Sequence, residues 1–260
     1  MLRSAHPGPT LAVTSLTAAY AASAGLAPGR VVLVTTAVLA GQLSIGWCND
    51  LVDADRDRIT GRSDKPVARG EVEARQVRIA CGVAVVVTVV LSLACGLVAG
   101  LVHLLCVAAG WAYDLGVKAT VWSWVPYAVA FGGLPLFITL GDPGAGPPPL
   151  WVLAAAALLG VGAHLVNVLP DLADDEATGV RGLGHRLGAR VTQVAAVVVL
   201  GTATAVMTLG ITDVPGWLLL TALLVVTGLA GLALVARGRV PFRAAIGIAA
   251  VDVLLLVVSG

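Results

Sequence analysis

Hydrophobic residues are grouped along this chain into nine long runs with few charges, and polar residues are confined to the stretches between them. Most of the runs approach the roughly 20 residues that a helix needs to cross a membrane. A period of two is not evident, which argues against a transmembrane β-barrel. We therefore predict an all-α membrane bundle of about nine helices. The runs are residues 9–27, 31–51, 74–98, 99–113, 121–140, 150–170, 190–210, 215–236 and 242–259.

The loops between the runs differ in how clearly the sequence marks them. Proline and glycine make up most of residues 143–149 and predict a loop. By contrast, only Ala99, Gly100 and His103 mark the boundary between the third and fourth runs. We therefore expect a turn at Ala99–Gly100.

The composition supports a membrane protein. Hydrophobic residues make up 58% of the chain and charged residues 12%, and the mean hydropathy is +0.95. These values are typical of a polytopic membrane protein, and we expect one integral-membrane domain over residues 1–260. The cysteines lie in apolar runs without metal-ligand spacing, so we interpret them as reduced packing residues. They are Cys48, Cys81, Cys95 and Cys106.

The basic residues predict how the bundle is oriented. With nine spans, the N-terminus and the second, fourth, sixth and eighth loops lie on one side of the membrane. All of the 16 lysine and arginine residues except Arg30 are on that side. The positive-inside rule makes it cytoplasmic, and we expect the protein in the cell inner membrane. The net charge of +1 gives no reason to expect a nucleic-acid partner.

The densest polar stretch, residues 49–57, has four carboxylates and one amide, and a second stretch repeats its skeleton 118 residues later. Both stretches follow even-numbered spans on the cytoplasmic side. The repeat predicts two related four-helix halves plus one helix, with the functional site where the halves meet. The matching pairs are Asn49 and Asn167, Asp53 and Asp171, Asp57 and Asp175, Thr60 and Thr178, and Gly61 and Gly179.

The spacing within these stretches indicates a metal site. Residues four apart share one face of an α-helix, so Asn49, Asp53 and Asp57 are expected to line one face. Two such faces opposite each other would crowd carboxylates that repel, and divalent cations remove that conflict. Carboxylate and amide oxygens are hard ligands, and Mg²⁺ commonly binds one or two carboxylates together with substrate phosphates. The stretches therefore predict a Mg²⁺-bridged phosphate or diphosphate at the cytoplasmic surface.

Basic residues follow each acidic stretch. We expect them to neutralise phosphate oxygens that the metals leave uncovered. Merely solvated loops would not explain two stretches in the same register on the same side. The basic residues are Arg62, Lys65 and Arg69 after the first stretch, and Arg181 and Arg186 after the second.

Both motifs resemble those of the UbiA-type intramembrane prenyltransferase superfamily, with its N-D-x-x-D-x-x-x-D pattern and its D-x-x-x-D element. The nine-helix layout is similar too, so the resemblance covers nearly the whole chain. It implies that a prenyl diphosphate binds through two or more Mg²⁺ ions, with its tail running into the bundle. The matching residues are Asn49, Asp50, Asp53 and Asp57 in the first motif, and Asp171 and Asp175 in the second.

The chain departs from the family pattern at two places. Relatives often carry Tyr-x-x-x-Lys after the fourth span, whereas one extra residue separates Tyr113 from Lys118 here. Asn167 stands where many relatives have another acid. The resemblance still implies that Lys118 reaches the diphosphate.

The expected reaction is transfer of a prenyl group to an aromatic or other lipophilic acceptor, through an allylic carbocation in a membrane-embedded cavity. Membrane lipids are expected to surround the bundle. The alternative is a UbiA-type terpene cyclase that needs no acceptor. Predicted catalytic residues are Asp53, Asp171 and Lys118. Predicted diphosphate ligands are Arg62, Lys65, Arg69, Lys118, Arg181 and Arg186. Predicted metal ligands are Asn49, Asp50, Asp53, Asp57, Asn167, Asp171 and Asp175.

For several residues inside the runs, the sequence allows both a functional and a structural interpretation. Asp252 is either a functional acid facing the interior or a helix-packing residue. His164 is either a proton acceptor or acceptor-positioning group, or a satisfied core histidine, and His103 is expected to be structural. Five aromatic residues either line the cavity or serve packing and interfacial anchoring. They are Trp47, Trp122, Trp124, Tyr127 and Phe131.

Overall fold

A computed structural model describes residues 1–59, 66–170, 172, 179–236 and 240–259. These residues form ten α-helices and two short 3₁₀ turns, Leu2–Ala5 and Val117–Ala119, and no strand. The helices are α1 (Pro7–Ser23), α2 (Pro28–Val52), α3 (Ala54–Ile59), α4 (Ala74–Ala94), α5 (Leu97–Asp114), α6 (Val125–Leu140), α7 (Leu150–Val168), α8 (Leu183–Gly210), α9 (Gly216–Val235) and α10 (Val240–Val258).

The all-α membrane architecture predicted from the sequence is confirmed. Within the described residues, seven helices are long and apolar enough to cross a membrane, namely α2, α4, α5 and α7 to α10. Helix α6 is apolar but has 16 residues, and α1 has 17. Each of the nine predicted runs overlaps one of these helices, whereas a count of nine membrane spans stays a prediction.

Two helix boundaries depend on glycine conformations that other residues rarely adopt. The turn between α4 and α5 has Gly96 at φ 123°. The predicted turn at Ala99–Gly100 is therefore wrong, because both residues lie in the first turn of α5. Gly100 is needed there for close packing, since a Cβ would lie 2.6 Å from the carbonyl oxygen of Ser92. In α8, Gly188 (φ 75°) interrupts the helix just before the predicted span begins.

The long helices form a closed ring. Each packs against the next along the chain, and α10 packs back against α1. One side of the ring is filled by large side chains from α6, α8 and α10, including Phe137, Leu200 and Ile248, which are fully buried. The other side, between α1, α2, α5 and α6, encloses a cavity.

The two repeated stretches begin at equivalent places in the ring. Asn49 lies in the last turn of α2, and Asn167 lies in the last turn of α7. The expected equivalence of these helix ends is thus visible in the described residues. A common origin of the two halves remains a prediction.

Candidate active site

The cavity has a volume of about 450 Å³ and is polar at one end. The polar end lies where α2, α5 and α7 finish, and most of the remaining lining is apolar or aromatic. We call the polar end the mouth. Its side chains in the described residues include Asn49, Asp53, Asp57, Asp114 and Lys118.

The first acidic stretch lines the mouth as its spacing predicted. Helix α2 ends at Val52, but the helical hydrogen bonding continues into α3. The backbone N–H of Asp53 donates to the carbonyl of Asn49 at 2.9 Å, and that of Asp57 donates to the carbonyl of Asp53 at 2.8 Å. All three side chains therefore contribute to the cavity lining. Asp55 is exposed and forms an ion pair with Arg58.

Asp53 is the centre of a charged network in the mouth. Its carboxylate is buried and accepts hydrogen bonds from Lys118 Nζ at 2.6 and 2.7 Å, and from the Arg56 guanidinium at 2.8 Å. Lys118 reaches it from the 3₁₀ turn after α5, which begins beyond Gly116 at φ 146°. Burying a carboxylate is costly unless it is paired, and these two cations supply the pairing.

Asp114 is a mouth residue that the sequence analysis missed. It is the last residue of α5, is buried, and accepts a hydrogen bond from the Asn49 amide at 2.8 Å. The same amide donates to Asp53 at 3.2 Å, so Asn49 joins two carboxylates. A useful indication was present in the sequence. Asp114 is an acid directly after the fourth predicted run, at the same end of the bundle as the two acidic stretches, and four residues before Lys118.

Aromatic rings line the cavity directly inside the mouth. Tyr127 meets Tyr113 edge to face, with ring centroids 5.2 Å apart, and stacks on Phe131 at 6.3 Å. The imidazole of His164 lies 5.0 Å from the Tyr127 ring and 5.8 Å from the Tyr113 ring. We call Tyr113, Tyr127 and Phe131 the aromatic wall. Trp47, Trp122 and Trp124, which were candidates for the same role, do not line the cavity.

His164 has a defined hydrogen bond inside the bundle. Ser123 Oγ lies 3.0 Å from His164 Nε2 and accepts the backbone N–H of Leu183 at 3.1 Å. Ser123 Oγ thus links the His164 imidazole to the backbone of Leu183. Ser123 follows the 3₁₀ turn that carries Lys118, and nothing in the sequence pattern singled it out.

The second acidic stretch is described only at its start. Asn167 lies at the end of α7 and lines the cavity, across from the first stretch. The other predicted residues of this stretch and two predicted diphosphate ligands lie outside the described residues. They are Asp171, Asp175, Arg62 and Lys65.

Four predicted ligands are described but do not line the cavity. Asp50 is a buried residue of α2, on another face of the helix from Asn49 and Asp53. Arg69 is exposed and pairs with Glu71 at 3.1 Å. Arg181 and Arg186 are also exposed, and the Arg186 Nε–H donates to the Arg181 carbonyl at 3.2 Å. Metal or diphosphate roles for these four residues stay predictions.

The donor set of the mouth suits a hard cation. The donors that the structure describes at the mouth are carboxylate and amide oxygens, not the thiolates that softer metals prefer. Among the described residues, no group of three or more His, Cys, Asp or Glu is arranged to hold a metal ion by itself. A complete metal site would therefore need further ligands, and the remaining predicted ones are in the second stretch.

Comparison with known proteins gives a family match over most of the chain. The sequence model of the UbiA prenyltransferase family matches residues 10–247. No curated protein matches the sequence.

Several solved structures share the fold. A UbiA homolog from Archaeoglobus fulgidus bound to GPP and Mg²⁺ has 17% identity and a TM-score of 0.72, and the match covers 100% of this chain and 99% of that chain. A UbiA homolog from Aeropyrum pernix K1 in its apo form has 18% identity and a TM-score of 0.72, over 95% and 96% of the two chains. A digeranylgeranylglyceryl phosphate synthase has 14% identity and a TM-score of 0.72, over 99% and 96%.

Proposed function

Because the chain belongs to the UbiA prenyltransferase family, we propose that it transfers a prenyl group from an isoprenoid diphosphate to an aromatic or other lipophilic acceptor. One observation carries this proposal. A charged mouth opens directly onto an aromatic and apolar cavity of about 450 Å³ inside a membrane bundle. Such a cavity accommodates a molecule with one highly charged end and a hydrocarbon tail.

The mouth would hold the diphosphate together with Mg²⁺. Asn49, Asp53, Asp57 and Asn167 supply oxygen donors from two sides of the cavity. A structural relative binds GPP and Mg²⁺, which supports this ligand class. When bound, Mg²⁺ supplies positive charge that neutralises the leaving diphosphate. Asp171 and Asp175 would complete the ligand set.

Lys118 and Arg56 have a role that follows from their present pairing. Both cations are held at Asp53 by hydrogen bonds of 2.6 to 2.8 Å. Positive charge arriving at the Asp53 carboxylate would free them to interact with phosphate oxygens. Fixed cations stabilise the charge that develops on a leaving diphosphate, which is electrostatic catalysis.

The aromatic wall would contact the other product of ionisation, the allylic cation. Aromatic faces attract cations, and Tyr127 lies at the centre of the wall with ring contacts to Tyr113 and Phe131. The apolar lining further inside keeps water from the cation until an acceptor reacts with it. The bond from the prenyl C1 to the diphosphate oxygen breaks, a bond to the acceptor forms, and the acceptor loses a proton.

The orientation of the site follows from the distribution of charge. We propose that the N-terminus and the mouth face the cytoplasm, since all basic residues except Arg30 lie on that side in the nine-span arrangement. Labelling of single cysteines placed near the N-terminus and in residues 143–149, in closed inner-membrane vesicles, would test this orientation.

The reaction can be tested with purified protein and prenyl diphosphates of 10 to 20 carbons, with and without Mg²⁺ and aromatic acceptors. Mass spectrometry should identify a prenylated acceptor and stoichiometric diphosphate, formed only when Mg²⁺ is present. A terpene hydrocarbon formed without acceptor would overturn the transferase proposal in favour of a cyclase. Full activity after complete removal of divalent cations would overturn the proposed metal site.

A further inference from the structure

The cavity has a second polar region far from the mouth. Its deep end is formed by Val38, His103 and Leu134. His103 precedes Asp114 by 11 residues on α5, which corresponds to about 16 Å along the helix. His103 and Gln42 bring polar groups to a part of the cavity whose other lining is mostly apolar, and the proposed reaction gives neither group a role.

The protonation of His103 follows from its hydrogen bond to Ser92. The Ser92 hydroxyl donates to the carbonyl of Thr88 at 2.5 Å, so its only hydrogen is used. In the 2.7 Å hydrogen bond between Ser92 Oγ and His103 Nδ1, the imidazole Nδ1–H is then the donor. A charged imidazole is costly in a buried site of this kind. The neutral ring therefore presents a lone pair at Nε2.

The imidazole of His103 lines the cavity, with its Nδ1 held by Ser92. Phe137 stacks on the imidazole with ring centroids 4.4 Å apart and fixes its plane. Gly41 of α2 packs close to the ring edge that carries Nε2, where a Cβ would lie 3.4 Å from both Nε2 and Cε1 and 2.8 Å from Val107 Cγ2. His103 is buried, with 3% of its surface exposed, and its Nε2 has no hydrogen-bond partner in the described part of the chain.

Gln42 adds a complementary group. It follows Gly41 on α2, lies seven residues before Asn49 on a similar helix face, and lines the same cavity. Its carboxamide also has no hydrogen-bond partner among the residues that the structure describes. A carboxamide both donates and accepts, whereas the neutral His103 Nε2 only accepts. Gln42 is half-buried, and polar groups that line a cavity without a protein partner pair with water or with a ligand.

We propose that the deep end is a binding subsite for a hydroxyl group on a lipophilic substrate. The hydroxyl would donate to His103 Nε2 and accept from the Gln42 amide. This inference rests on the proposed function only in taking the cavity as the substrate site. The hydroxyl has two sources, the far end of the prenyl chain or the acceptor, and an unsubstituted prenyl tail would leave both groups unpaired.

Matched pairs of ligands that differ by one hydroxyl test the subsite. In the first arm, dissociation constants of geranyl and farnesyl diphosphate are compared with those of their ω-hydroxylated derivatives, in Mg²⁺ and with the full-length protein. In the second arm, 2-naphthol is compared with naphthalene without any diphosphate. We expect a preference of about tenfold for the hydroxylated member of at least one pair.

Three variants identify the groups responsible. His103→Phe keeps a ring against Phe137 but removes the lone pair, and Gln42→Leu removes the carboxamide. Both should abolish the hydroxyl preference while Mg²⁺-dependent binding of geranyl diphosphate stays within about twofold. Val38→Ala, at the same depth, is the control and should keep the preference. Gln42→Leu tests the proposal independently if His103→Phe fails to fold.

Each outcome has a defined meaning. A preference in the first arm places the hydroxyl on the prenyl chain, and one in the second arm places it on the acceptor. Equal binding within both pairs, or a preference that survives both variants, overturns the subsite. His103 and Gln42 would then be hydrogen-bonded to ordered water. Failure of geranyl diphosphate to bind would count against the proposed function, while the naphthol arm would still decide the subsite.

Discussion

Two buried carboxylates, Asp53 and Asp252, lie in very different surroundings. Asp53 lines the mouth and is held by two cations and an amide. Asp252 is fully buried between α10 and α8, where Thr204 Oγ1 lies 2.5 Å from its Oδ1, and its Oδ2 has no partner in the described residues. Asp252 does not line the cavity.

The difference shows that burial of an acid does not by itself identify a functional site. A buried acid in a membrane helix is often functional, and that rule applies to both residues. What separates them is the surrounding charge and the access to space for a ligand. Asp53 has both, whereas Asp252 has one hydrogen-bond partner in the described part of the chain, the Thr204 hydroxyl. The helix-packing interpretation of Asp252 therefore agrees with the structure, and variants at the two sites should separate them.

The largest effect is expected at Asp53. Asp53→Asn keeps the shape of the side chain but removes the charge that Lys118 and Arg56 neutralise. Both cations then lose their partner, and the mouth loses a proposed metal ligand. We expect diphosphate release to fall by about 1,000-fold or more, measured as product per enzyme at saturating Mg²⁺.

A lower thermal midpoint of unfolding in Asp53→Asn would show that the loss of activity has a structural cause. Asp55→Asn is the matched control, because Asp55 is two residues away, exposed and outside the cavity. It should keep activity within about twofold. Wild-type activity in Asp53→Asn would show that the charged network at the mouth is not the reaction site.

Lys118 should give the next largest effect. Lys118→Gln removes a fixed cation from the mouth but leaves Arg56 in place at Asp53. The kcat for diphosphate release should fall by about 100-fold, because the developing charge loses one stabilising group. If instead only KM rises, Lys118 binds the substrate without stabilising the transition state. Arg58→Gln, which removes an exposed cation of α3, serves as the control.

Hydrophobic periodicity was sufficient to predict the helices, because long apolar runs have one stable form in a membrane. It failed at the α4–α5 turn, where the sequence around Gly96 is as apolar as the helices beside it. The choice between Gly96 and Gly100 depends on backbone conformation and on the close packing of Gly100 against Ser92. Neither the backbone conformation nor the close packing can be predicted from a hydropathy pattern.

Helical spacing likewise placed Asn49, Asp53 and Asp57 on one cavity face, because contacts between residues four apart are local. Lys118 was also expected at the mouth, from the family resemblance. Its pairing with Asp53 and the role of Asp114 depend on how α5 packs against α2, which sequence spacing does not encode. The same holds for the Ser123 contact with His164, formed between segments 41 residues apart.

A smaller effect is expected at Asp114, which holds the Asn49 amide in the mouth. Asp114→Asn replaces the carboxylate that accepts the Asn49 amide at 2.8 Å. The Asn49 oxygen would then be held less firmly toward the proposed metal. We expect the Mg²⁺ concentration for half-maximal activity to rise about tenfold, with kcat at saturating Mg²⁺ nearly restored. An unchanged Mg²⁺ dependence would show that Asp114 has no influence on the proposed metal site.

The smallest effect on activity is expected at Asp252. The Thr204 hydroxyl also lies 3.1 Å from the carbonyl of Leu200, so it keeps an acceptor within its own helix when Asp252 is replaced. Asp252→Asn preserves the oxygen that faces Thr204 and places an amide where the unpartnered Oδ2 lies. The free energy of unfolding should change by about 1 kcal/mol or less, and activity should stay within about twofold.

Both quantities can be measured on the same detergent-solubilised preparation, with Thr204→Val as the matched variant on the other side of the contact. If the contact serves packing alone, the two single variants and the double variant should lower the thermal midpoint by similar small amounts and leave diphosphate release unaffected. A loss of activity of 100-fold in Asp252→Asn, at unchanged thermal midpoint, would instead make Asp252 part of the reaction and remove the distinction between the two carboxylates.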